Sequence, residues 1–227
     1  MSTSIPSDRD WRIDCSGSRL DQLRTEPAFH QLIALARLMN ALRFAQVAFA
    51  DANDLTGPAS TRHRINGFFF INALLYEGVQ LAQRMAKHFR THRSWGAGLG
   101  ALLKDQRFSL LFSENLKPAR DRVTFHVDED EFARQLALHP TEDVTLVRGT
   151  GRKLRDVYYD FPDLLGLRTF IGPTASQEEF LSRTSELFVV ARDLAVAFLD
   201  AADGLLAAVL KDMGFAPESI EANSTDA

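Results

Sequence analysis

Cysteine is nearly absent from this 227-residue chain, where Cys15 stands alone. A single thiol excludes a disulfide framework and any cysteine-rich zinc or iron–sulfur site, and it fits a reducing compartment. No apolar run is read as spanning a bilayer. The opening Met-Ser-Thr-Ser-Ile-Pro-Ser-Asp-Arg-Asp lacks the apolar core of a secretory signal, so a cytoplasmic protein with no membrane partner is expected. Charge of one sign is missing too: 30 acids face 26 Lys and Arg, and the net of -4 leaves a polyanion to be held by a local basic patch. The chain has no G-x-x-x-x-G-K-[ST] loop, no H-E-x-x-H pair and no G-x-S-x-G elbow. Gly96-x-Gly98-x-Gly100 follows a basic helix end instead of a strand and reads as a linker. His88 and His92 stand four apart without a third ligand, and neither a metal nor another cofactor is expected.

What the chain does have is apolar residues at 45%, enough for a real core, and 17 Phe. Residues 1–24 read as a flexible arm that Trp11 and Ile13 pin to the body. Thr25-Glu26-Pro27 starts a helix running to about Asp51, with Leu32, Met39, Leu35 and Leu42 on a wide apolar face. A second helix is expected from about Thr61 to Arg90, and one or two shorter ones within 102–116. Asp128-x-x-Glu131 and Ser176-x-x-Glu179 are capping boxes, predicting helices over about 129–138 and from 177 to about Asp212, with Gly214 as the stop. Between His139 and Pro173 the period changes to alternation, predicting a β-hairpin over 144–161. The expected architecture is all-α: one helical bundle over 25–214 with a small hairpin insertion, followed by a disordered tail over 215–227.

Helices one and two carry Arg37, Asn40 and Arg43 on one and Asn66, Asn72, Glu77 and Gln80 on the other. Burying such groups costs about 1–3 kcal/mol each unless they pair, so a network of Arg37 or Arg43 with Glu77 is expected. It serves either to fix helix register or to support a site from behind, with Arg37, Asn40 and Glu77 as the supporting residues.

The segment Lys117-Pro-Ala-Arg120-Asp121-Arg122-Val-Thr-Phe-His126 concentrates chemistry. A guanidinium clamps phosphate through paired hydrogen bonds, and an imidazole exchanges protons near neutral pH. Together they suit phosphodiester cleavage without a metal. Arg120-Asp121-x4-His126 resembles the R-x(4-6)-H motif of HEPN-type helical domains, in which a polar residue commonly follows the Arg. The resemblance implies a HEPN-like dimeric bundle and a metal-independent ribonuclease of toxin–antitoxin, phage-defence or RNA-processing type. It also implies Arg120, Asp121 and His126 as the catalytic set and an antitoxin or regulator as a further partner.

Helical geometry leaves a choice. Six residues advance about 600°, separating Arg120 from His126 on an unbroken helix, whereas Arg122 and His126 share a face. Either the helix breaks, or the pair faces a two-fold copy, or Arg122 is the working residue; Arg120 is preferred on the family pattern and Arg122 is kept as a phosphate contact. RNA, if bound, would also meet Lys117, the cluster around Arg84 and Lys87, and the cluster around Arg152 and Lys153. The rivals to a ribonuclease are a non-catalytic helical interaction module and a small-ligand binder.

Overall fold

The computed structural model describes residues 11–12, 16–55, 58–110, 112, 116–117, 120–124, 128–138, 160–174, 176–215 and 218–219. Its helices are α1 (Gly17–Leu23), α2 (Pro27–Ala50), α3 (Pro58–Phe89), α4 (Arg93–Ala97), α5 (Leu99–Leu102), α6 (Gln106–Leu110), α7 (Glu129–Ala137), α8 (Asp160–Ile171) and α9 (Gln177–Asp212). One turn of π-helix, Arg120–Thr124, lies between α6 and α7. The described chain is an all-α bundle. α2 and α9 begin where the sequence predicts, with Pro27 in the first turn of α2 and the hydroxyl of Ser176 accepting the Glu179 amide at α9, whereas α3 begins at Pro58, three residues before the expected Thr61. Gly214, at φ +83°, provides the left-handed turn after α9.

α2 and α3 form an antiparallel hairpin against which α9 packs. Their spacing is set by missing side chains. A Cβ at Gly67 would come within 3.0 Å of the Phe49 backbone, and one at Gly78 within 2.7 Å of the Phe198 ring and 3.1 Å of Leu38. The main core gathers Leu35, Met39 and Leu42 of α2, Leu75, Ala82 and Met85 of α3, and Phe198, Ala202 and Leu205 of α9. A second cluster joins Phe68 and Phe69 of α3 to Phe170 of α8 and Phe180 of α9. There the Phe69 and Phe170 rings stack at 5.3 Å, and Phe68 meets Phe170 edge-on at 5.0 Å.

Four expectations need correction. The arm over 1–24 contains α1, whose Leu23 is buried, because Ser16 caps its start and Arg19 donates to the Met213 carbonyl. The tail over 215–227 contributes Glu218–Ser219, which pairs antiparallel with Trp11–Arg12. The hairpin over 144–161 falls mostly outside the described residues, but Asp160 and Phe161 open α8, which the alternation of Val157, Tyr159 and Phe161 concealed. The glycine run is not a linker: α4 and α5 occupy it, anchored by buried Trp95 and Leu99. In addition, Pro27–Ala50 is long and apolar enough to cross a membrane by length and composition, which the sequence reading did not anticipate. In the bundle it buries Leu32, Leu35, Met39, Leu42 and Ala45 and leaves Ile33, Phe44 and Val47 exposed.

Gly67 and Gly204 should answer differently to alanine. Gly204 lies within α9 with open space around its Cβ position, so Gly204→Ala should raise stability by about 0.5–1 kcal/mol. At Gly67 the α2 backbone must move, cancelling or reversing that gain. Thermal melting showing equal stabilisation by both substitutions would contradict the close approach of α2 and α3.

Candidate functional site

The π-helical turn packs on α3 and delivers Arg120 to the middle of that helix. Its Nη2 donates to Glu77 Oε1 at 2.8 Å and its Nη1 to Asp121 Oδ1 at 2.7 Å. The guanidinium carbon lies 5.4 Å from the centre of the Tyr76 ring, which stacks on Phe112 with centroids 5.0 Å apart and planes parallel. A cation is thus held by two carboxylates and an aromatic face, with only 30% of its side chain exposed. The Asp121 hydrogen bond, joined by Glu77 and outweighing partial burial, raises the Arg120 pKa above its ordinary value, so the charge is permanent. Two polar atoms in this turn, Arg120 Nε and Thr124 Oγ1, are buried without a partner among the described residues. Orphaned groups of this kind cost about 1–3 kcal/mol each.

Of the residues singled out by sequence, Arg120, Asp121 and Glu77 come together. Glu77 pairs with Arg120 and not with Arg37 or Arg43, because Arg43 reaches Asp203 on α9 at 3.5 Å and Arg37 points outward. Arg37 and Asn40 are exposed and line a groove between α2 and α3, so they do not stand behind Arg120. Arg122 belongs to the π turn and Lys117 is exposed beside it. His126, Arg152 and Lys153 lie outside the described residues. Arg84 and Lys87 are exposed on the last turns of α3. His92 caps α4, its Nδ1 accepting the Ser94 amide, while its Nε2 meets Asp212 at 3.0 Å. Among the described residues no three His, Cys, Asp or Glu side chains cluster to hold a metal. Sequence reasoning missed Tyr76 and Phe112; the signal was the aromatic directly before Glu77.

A second polar cluster joins α7 to α8. Its centre is Glu131, the acid of the Asp128-x-x-Glu131 box. Its buried carboxylate accepts from Arg134, Gln135 and the Thr169 hydroxyl. Burial pushes its pKa up, but these three hydrogen bonds win and hold it at about 2.

Comparison with protein-family models, with curated proteins and with solved structures found no match for this chain.

The Glu131 carboxyl, at about 2 against an ordinary 4.5, contributes stability that is complete above about pH 5 and lost as pH falls toward 2. The expected loss is on the order of 2 kcal/mol. Glu131→Gln should lower the melting temperature at neutral pH and flatten its decline in acid. An unchanged acid profile in that variant would show that the carboxylate does not carry the effect.

Proposed function

We propose that this chain is a HEPN-type bundle that cleaves RNA without a metal, with Arg120 as the phosphate-facing cation. The observation that carries the proposal is the meeting of Arg120 with Glu77, two groups far apart in sequence, in a π-helical turn set against α3. A permanent guanidinium with 30% of its side chain exposed suits a phosphate oxygen. Glu77 and the Tyr76 ring position the guanidinium; Asp121, adjacent in sequence, is the carboxylate that an incoming phosphate displaces. His126, six residues on, takes the proton from the ribose 2′-hydroxyl or gives one to the leaving 5′-oxygen. The 2′-oxygen bonds to phosphorus as the P–O5′ bond breaks, leaving a 2′,3′-cyclic phosphate and a 5′-hydroxyl. Lys117 and Arg122, with the exposed Arg84 and Lys87, supply further phosphate contacts.

The same reading includes a two-fold dimer in the cytoplasm and, beyond it, a regulatory partner of antitoxin type. Val189 and Val196 of α9 are exposed seven residues apart on one face and offer an apolar dimer surface. A second reading, a non-catalytic interaction module, draws on the double neutralisation of Arg120 by Glu77 and Asp121, which leaves its terminal nitrogens occupied.

Incubation of the protein with mixed RNA in chelator separates the two. Persistent cleavage, lowered about 10²–10⁴-fold in folded His126→Ala and comparably in Arg120→Ala, supports the ribonuclease. Equal cleavage by wild type and folded His126→Ala ends the catalytic assignment, and no cleavage favours the module. Light scattering should give twice the 25.4 kDa chain mass at micromolar concentration; a monomer mass would remove the dimer.

A further inference from the structure

From Gly78 to Lys104 the chain has no Asp or Glu, yet it carries Arg84, Lys87, Arg90 and Arg93, all of them exposed. None of these four side chains takes part in an ion pair or hydrogen bond among the described residues, whereas Arg24 has Asp21, Arg107 has Asp105 and Arg183 has Glu179. Asp212 of α9 reaches this end of the bundle but meets His92. The preference for a cation in the last turn of a helix accounts for Lys87, but not for Arg84 before that turn or Arg93 at the start of α4.

The patch continues the Arg120 turn along α3. Seven residues make about two helical turns, so Arg84 stands nearly in line with Glu77, about 10 Å along the axis, with Lys87 at about 15 Å and Arg90 and Arg93 beyond. Every exposed residue from Gln83 to Arg93 is polar, so an amphipathic helix or a lipid surface finds no apolar anchor here. A row of cations with no carboxylate of their own and no apolar residue between them matches a strand that carries negative charge at regular intervals. We propose that the face from Arg84 to Arg93 is a track for the phosphate backbone of a single RNA strand, leading from the Arg120 turn toward the start of α4 and covering about four nucleotides beside the cleaved bond. The identity of the polyanion rests on the ribonuclease reading; the track adds that affinity grows with strand length and comes from charge, not base sequence.

The test uses fluorescein-labelled 2′-O-methyl RNA strands of about 2 and about 8 nucleotides, whose blocked 2′-oxygen cannot attack phosphorus, titrated with the full chain in chelator and followed by anisotropy at several salt concentrations. The longer strand should bind saturably at micromolar chain concentrations in about 50 mM salt, and the shorter one at least about tenfold more weakly. Arg84→Gln with Lys87→Gln should weaken the longer strand at least about tenfold and reduce the logarithmic salt slope by about 1.4, each single-strand phosphate contact being worth about 0.7, with melting little changed. Arg90→Gln with Arg93→Gln should do the same, while Arg192→Gln, an exposed arginine paired with Asp193, should change neither quantity. The proposal is overturned if the longer strand shows no saturable binding below about 100 μM, if both lengths bind alike, or if neither pair of substitutions alters affinity or slope. It is also overturned if polyglutamate or phosphatidylglycerol vesicles bind as tightly as the RNA and displace it. Absence of cleavage with this binding pattern intact would end the ribonuclease and leave the track; cleavage by a chain whose RNA binding ignores all four substitutions would end the track and leave the ribonuclease.

Discussion

The close approach of α2 and α3 is the constraint on which the rest of the bundle depends. Side chains are absent at Gly67 and Gly78, where the two helices and Phe198 of α9 would otherwise collide. Bringing backbones this near buries Leu35, Leu42, Leu75 and Ala82 completely or almost so and gives α9 a flat surface to cross. The same geometry has a second effect. On the side away from α9 the small residues that permit the approach leave a trough, and Phe44 and Phe70 rise beside it. One packing decision thus makes both the core and an exposed face.

The Arg120 turn depends on that frame at one remove. α3 is long enough, at 32 residues, to serve the aromatic cluster at its start, the main core at its centre and the Tyr76–Glu77 pair on a remaining side. A guanidinium between two carboxylates and over a ring gains strong directed bonds that outweigh its partial burial, so it stays put. Its charge is nevertheless cancelled locally, and Nε and Thr124 Oγ1 are buried without a partner among the described residues.

The long helices were legible because their cores repeat at helical spacing and their ends carry strong signals, Pro27 for α2 and Ser176 for α9. α8 was not, because Val157, Tyr159 and Phe161 alternate for a few residues before helical spacing resumes, and a short alternating run looks the same in a strand and in a helix buried on several sides. The strand pairing of Trp11–Arg12 with Glu218–Ser219 joins opposite ends of the chain and leaves no local trace. At the site, spacing identified Arg120 and Asp121, and the cost of burying charge identified Glu77, but partner choice is a matter of three-dimensional distance: Arg43 had Asp203 available and Glu77 met Arg120. Arg37 and Asn40 were misread as buried because a wide apolar face suggested a helix covered on all sides, when part of α2 faces outward.

The claim that Arg120 works through its bond to Glu77 is tested most directly by a double-substitution cycle. Cleavage rates of a labelled RNA in chelator would be measured for wild type, Glu77→Gln, Arg120→Ala and the pair, each checked for folding by circular dichroism. If Glu77 acts only by positioning Arg120, then Glu77→Gln lowers the rate in the presence of Arg120 and has no further effect once Arg120 is gone. Independent, additive losses from the two substitutions, or rates unchanged by either in folded protein, would contradict the account.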